Sequence, residues 1–159
     1  MNDIQQKTFD RALRFLGTRA HGSMELRRKL ERNKELSAAD LDIVIAECHR
    51  LNLLNDALFA ENYAQELAQR GSGSRRIRQM LKQKGLDNDD ISAALSAFAD
   101  PDDEVTRAVA AGSRKLRSLK SDPTKKKLQL LRFLSARGFS APAVYEATRR
   151  LLNAAEGLE

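Results

Sequence analysis

Leu81-Lys82-Gln83-Lys84-Gly85-Leu86-Asp87-Asn88-Asp89-Asp90-Ile91 is the stretch on which the fold turns. Its first four residues favour helix, and Gly85 stands where a helix ends in a left-handed residue. Leu86 then tucks beneath the helix end, and Asp87, three residues before Asp90, offers its carboxylate to the first turn of a second helix. The stretch predicts helix, tight turn, helix. The same layout returns 53 residues later in Leu134-Ser135-Ala136-Arg137-Gly138-Phe139, with Ser140 as the cap and Val144 in the place of Ile91. It is present 51 residues earlier in a looser form, Leu30 to Leu36 to Leu41, where Asn33-Lys34-Glu35 replaces the glycine turn. A period of 51 to 53 residues divides the 159 into three copies.

Other start signals complete each copy. Ser23 precedes Met24-Glu25-Leu26, Ser37 stands three before Asp40, and Asp100-Pro101 and Ser121-Asp122-Pro123 pair a capping residue with proline. Behind them apolar residues fall at helical spacing, as in Leu41, Val44, Ile45 and Cys48, or Phe59, Tyr63 and Leu67, and no alternating strand pattern appears. The expected helices are 5–20, 23–32 and 38–51; 55–69, 74–84 and 88–98; and 103–119, 123–136 and 141–154. The fold class is all-α: three tandem three-helix repeats, residues 5–53, 54–99 and 100–155. A three-helix unit of this size buries little alone, so the copies are expected to stack into an elongated, curved array.

Composition supports this reading. Only 8 Gly and 3 Pro punctuate the chain, too few for an all-β fold. The one Cys forms no internal disulfide and no zinc-type spacing is present, which points to a reducing compartment. The N-terminus lacks the regions of a signal peptide, and no apolar run nears the roughly 18 residues of a membrane span, so the expectation is a soluble cytoplasmic protein without membrane contact.

Catalysis finds little support. His21 and His49 are the only histidines, and no HExxH, GxSxG, P-loop or GxGxxG motif occurs. Cys48 shares an apolar face with Leu41, Val44 and Ile45 and reads as core. Gly71-Ser72-Gly73-Ser74 lacks the Gly-Lys-Ser/Thr of a phosphate loop and reads as a flexible helix connection. The pairs Asp89-Asp90 and Asp102-Asp103 read as first-turn charges that complement the helix dipole. No cofactor or metal is expected.

The basic residues carry more. With 28 Lys and Arg against 22 Asp and Glu the formal net charge is +6, concentrated locally. From Arg70 to Lys84 stand Arg70, Arg75, Arg76, Arg78, Lys82 and Lys84 with no acid among them. From Arg114 to Arg132 stand Arg114, Lys115, Arg117, Lys120, Lys125, Lys126, Lys127 and Arg132 against the single Asp122. On a helix Arg75, Arg78 and Lys82 point away from Ile77 and the core. Arg75 and Arg76, and Lys125 to Lys127, crowd the starts of their helices, where the dipole is already positive. Free N–H groups beside clustered cations suit an anion, so these helix starts are expected to face an acidic partner. Direct nucleic-acid binding is the alternative, with phosphate contacts from the basic faces. Asn88-Asp89-Asp90-Ile91-Ser92-Ala93-Ala94-Leu95 is acidic and lacks the Arg, Lys or Gln that read base edges, which disfavours sequence-specific readout.

These residues also fit a known pattern. Leu54-Asn55-Asp56-Ala57-Leu58-Phe59-Ala60, then Tyr63, Gly71, Gly73, Arg76-Ile77, Leu81 and Lys84-Gly85-Leu86, resembles the central motif of the RecX family, modulators of the RecA recombinase. Ala12-Leu13, Leu16, Arg19, Ser23, Glu25-Leu26 and Lys29-Leu30 resemble that family's opening segment, and Arg132-Phe133-Leu134 with Arg137-Gly138-Phe139 its closing one. The chain departs from the pattern at Asn52, where the family often has Gly, at Leu67, where it commonly has Arg, and at Ser74, where Pro is frequent. The resemblance implies a non-enzymatic regulator that lodges in the groove of the RecA filament on DNA, and a monomer is expected. There it limits filament extension, ATPase, strand exchange and coprotease activity in recombination, repair and the SOS response. The basic residues of the two runs are the candidate contacts with that filament: Arg70, Arg75, Arg76, Arg78, Lys82, Lys84, Arg114, Arg117, Lys125, Lys126, Lys127 and Arg132, with weak, salt-sensitive DNA contact alongside.

Overall fold

The structure is a computed structural model and describes residues 1–157. Among them are nine helices and no strand: α1 Asp3–Thr18, α2 Ser23–Leu30, α3 Ala38–Arg50, α4 Asp56–Gln69, α5 Ser74–Gln83, α6 Asn88–Ser96, α7 Pro101–Ser118, α8 Pro123–Ala136 and α9 Ala141–Glu156. None is long and apolar enough to cross a membrane.

The helices build two compact units. One comprises Met1–Asn62 with Leu81–Ala93, the other Tyr63–Met80 with the chain from Ala94 onward. In the first, α1, α2 and α3 pack on one another around Phe9, Leu26, Leu30, Leu41, Val44 and Cys48. In the second, α7, α8 and α9 enclose Ala108, Ala111, Leu134, Phe139, Val144 and Ala147. Small residues on α7 let α9 approach closely: a Cβ on Gly112 would lie 2.6 Å from Leu151 Cδ1. Burying each large side chain contributes about 1.5–3 kcal/mol. The division between units falls inside α4, α5 and α6, whereas the sequence repeat divides the chain between helices.

The helix ends share one device. After α5, Gly85 at φ 78 donates its N–H to Lys82 O and Leu86 donates to Leu81 O, the paired hydrogen bonds of a Schellman turn. Gly138 at φ 89 and Phe139 repeat it after α8, as the repeated Leu-x-x-x-Gly-apolar layout predicts. The same turn closes α4 through Gly71 and Ser72, and α3 through Asn52 and Leu53. Asn52 has φ 55, so the left-handed conformation falls where this chain carries Asn in place of Gly. Asn is the side chain that tolerates it best.

Two expectations need correction. Ser23 is not the cap of α2: Gly22 holds that position without a side-chain hydrogen bond, and the Ser23 N–H is taken by Asp56 Oδ1 at 2.8 Å. An acid from the start of α4 thus does what Ser37, Asp87, Asp122 and Ser140 do locally for α3, α6, α8 and α9. The Gly71-Ser72-Gly73-Ser74 run is not a flexible connection either. Gly71, Ser72 and Gly73 are buried, and a Cβ on Gly73 would lie 2.4 Å from the Gly138 carbonyl carbon. Two backbones meet there, and glycine is required for that contact rather than for mobility.

Candidate interaction surface

The N-terminus of α5 meets the C-terminal turn of α8. Gly73 donates its N–H to Arg137 O at 2.8 Å, Arg75 donates its N–H to Gly138 O at 3.1 Å, and the Arg75 guanidinium donates to Ser135 O at 2.7 Å. The positive end of one helix is seated on the negative end of another. Arg76 is half-buried, with its backbone close under Gly138. The expectation of free N–H groups at the start of α5 is narrowed: those of Gly73 and Arg75 are not open to an outside anion, because carbonyls of the turn that closes α8 already accept from them. The crowding of Arg75 near a helix start also has a reason within the fold.

Other expected contacts divide into engaged and free. Lys84 Nζ lies 2.9 Å from Glu25 Oε1, on a carboxylate also held by Arg19. Burial pushes the Glu25 carboxyl up, but the hydrogen bonds from Arg19 and Lys84 and their charges outweigh it and bring its pKa down to about 2. Lys84 is thereby a structural anchor of the first unit. Arg70 pairs with Glu66 at 2.6 Å on the exposed side of α4. Among the described residues, Arg78, Lys82, Arg114, Arg117, Lys125, Lys127 and Arg132 are exposed and form no ion pair, while Lys126 is half-buried. Asp122 caps the start of α8, accepting from the Lys125 N–H at 2.9 Å, so the three lysine side chains project from a capped helix end. Lys126 and Lys127 also line a groove of about 1010 Å³ with Tyr145 and Arg149.

Arg70 and Arg114 come together around a smaller concavity of about 310 Å³, which Lys115, Phe133 and Arg137 also line. Lys115 Nζ and the Arg137 guanidinium lie 5.5 and 5.2 Å from the centre of the Phe133 ring. Sequence spacing placed Lys115 in a basic run but gave no sign that Arg137, 22 residues on, shares its ring. Arg107 was unmarked as well. Its guanidinium lies against Phe98 and Phe139, 5.0 and 5.8 Å from the ring centres, and donates to Ser72 O at 2.9 Å. Burial lowers its pKa, against the nearby Glu104 and Asp103, and Arg107 serves to hold the Gly71–Gly73 turn.

Residues 55–95 match the second three-helix domain of RecX, and residues 102–148 match the third. The chain is 34% identical over 149 residues to the regulatory protein RecX of Chlorobaculum tepidum, covering 93% of this chain and 90% of that one. It is 37% identical over 143 residues to the regulatory protein RecX of Cronobacter sakazakii, covering 84% and 85%.

The chain belongs to the RecX family.

A crystal structure of RecX from Lactobacillus salivarius superposes with a TM-score of 0.80, at 22% identity, over 95% of this chain and 98% of that one, so the fold is shared. The second RecX domain takes in α4, α5 and most of α6, and with them Arg70 to Lys84. The third takes in α7, α8 and the first half of α9, and with them Arg114 to Arg132 and the Phe133 concavity. Both basic runs thus lie within the matched RecX domains. The relatives are named regulatory proteins.

Proposed function

We propose that this chain is a non-enzymatic regulator, mainly an inhibitor, of the RecA recombinase, acting as a monomer in the cytoplasm without a cofactor. It binds the RecA filament on DNA and limits filament extension, ATPase, strand exchange and coprotease activity. The observation that carries the reading is membership of the RecX family across most of the chain. Exposed cations on the second and third domains supply the surface: Arg78 and Lys82 on α5, Arg117 on α7, and Lys125, Lys127 and Arg132 on α8. Such a surface complements a polyanionic assembly and speeds association with it.

RecA, single-stranded DNA and ATP provide the test. Stoichiometric protein is expected to shorten filaments and lower the ATPase rate. Replacing Arg78 and Lys82 with Glu is expected to weaken inhibition with the fold intact, since neither side chain holds another element. Unchanged filaments at stoichiometric wild-type protein contradict the proposal. Tight binding to naked DNA that falls steeply between about 50 and 200 mM salt, without any effect on RecA, would favour direct nucleic-acid binding instead. The acidic start of α6, with Asp89 and Asp90, argues against sequence-specific readout from that helix.

A further inference from the structure

The concavity beside Phe133 has a charge balance that packing alone leaves unexplained. Four cations line it, Arg70, Arg114, Lys115 and Arg137, and none of its lining residues is acidic. Arg70 shares its charge with Glu66. Arg114, Lys115 and Arg137 form no ion pair among the described residues. Arg70, Lys115 and Arg137 stand at the ends of α4, α7 and α8, and a cation at a helix C-terminus is favourable. The Phe133 face attracts the two cations set against it. These effects account for Arg70, Lys115 and Arg137 singly and leave Arg114 without one, and convergence adds mutual repulsion that no carboxylate of the pocket relieves.

A multiply charged anion relieves it. One carboxylate is matched by one bidentate arginine. Four cations around about 310 Å³ match a ligand with two or more negative charges close together. Arginine's planar fork suits phosphate oxygens, and lysine adds a point charge. The volume is at the lower end of small-ligand cavities, about 300–1,000 Å³, which is room for phosphate groups with any attached nucleoside left outside. Gly71 keeps the rim open: a Cβ there would sit 3.4 Å from a terminal nitrogen of Arg114.

We infer that this pocket is a phosphate site, taking either a free diphosphate-type anion or consecutive phosphodiesters of a nucleic-acid strand. The site stands without the RecA reading, because it is built from the second unit's own residues and can be tested on the protein alone. Inorganic pyrophosphate is titrated into the full chain by calorimetry at low salt, and a labelled single-stranded oligonucleotide by anisotropy. Pyrophosphate is expected to bind, and the double replacement Arg114→Gln with Lys115→Gln to weaken it at least tenfold with an unchanged helical spectrum. Lys115→Arg is expected to retain most of the affinity. Competition between pyrophosphate and the oligonucleotide identifies backbone phosphates as a source; pyrophosphate binding without competition identifies a free anion. The inference is overturned by the absence of pyrophosphate binding, by binding that the double replacement leaves unchanged, or by oligoglutamate binding as tightly as pyrophosphate.

Discussion

Single residues carry more of this fold than their types suggest. Glu25 looks in sequence like an ordinary first-turn acid, and in the structure it is a buried carboxylate shared by Arg19 and Lys84. Its folded pKa of about 2 lies below the ordinary 4.5, so the unfolded chain takes up the proton first as pH falls. The stability it provides is complete above about 4.5 and is lost on descending toward 2. Glu25→Gln is expected to cost about 2 kcal/mol at neutral pH and to shrink the loss of stability on acidification, as read by denaturant midpoints at pH 7 and pH 3. Asn52 and Gly138 make a second pair of tests. Asn52→Gly keeps the left-handed turn and is expected to change stability little, whereas Asn52→Val is expected to cost about 1–2 kcal/mol. Gly138→Ala, which places a Cβ 2.5 Å from Arg76 Cβ and N, is expected to cost more than Asn52→Val in the same melts. Gly85 and Gly138 were legible because the sequence repeats them in one layout. Gly73 was not. A Gly-Ser-Gly-Ser string has the composition of a linker, and the need for glycine comes from a backbone 65 residues away.

Helices form the level at which the sequence was most readable. Start signals at Ser37, Asp87, Asp122 and Ser140 each correspond to a side chain that accepts from the first turn, which is why the expected ends fall within a few residues of the observed ones. Ser23 shows the limit of local signals: the residue type fits a cap, but a neighbouring helix supplies the acceptor. Asp56→Ala is therefore expected to destabilise by about 1 kcal/mol and Ser23→Ala by clearly less, the reverse of what local capping predicts; thermal melts of the two variants decide it. The start of α5 has the same lesson for function. Its basic residues suggest an open anion site, yet the N–H groups of Gly73 and Arg75 are bonded to the turn that closes α8, and the Arg75 side chain serves that contact. Charge reversal at Arg75 or Arg76 thus mixes folding with binding, and Arg78 and Lys82 are the cleaner positions on this helix.

At the scale of the whole molecule, the three-fold repeat tells which helices correspond, and the two compact units tell where packing concentrates. Periodicity is set by which side chains recur, whereas the units depend on which faces of α4, α5 and α6 are buried, so the second division had no sequence signal. Charge behaves similarly. The net +6 and its concentration in two runs were legible, but the separation of anchors such as Lys84 from free cations such as Lys125 and Lys127 needed the fold. On the proposed reading the chain acts on the RecA filament through its free cations, Arg78 and Lys82 on α5 among them. Electron microscopy of RecA filaments on single-stranded DNA, with wild-type protein and with the Arg78→Glu, Lys82→Glu variant at equal concentration, tests it most directly. Filaments are expected to be markedly shorter with the wild type and close to full length with the variant; full-length filaments with the wild type, or equal shortening by both, would contradict it.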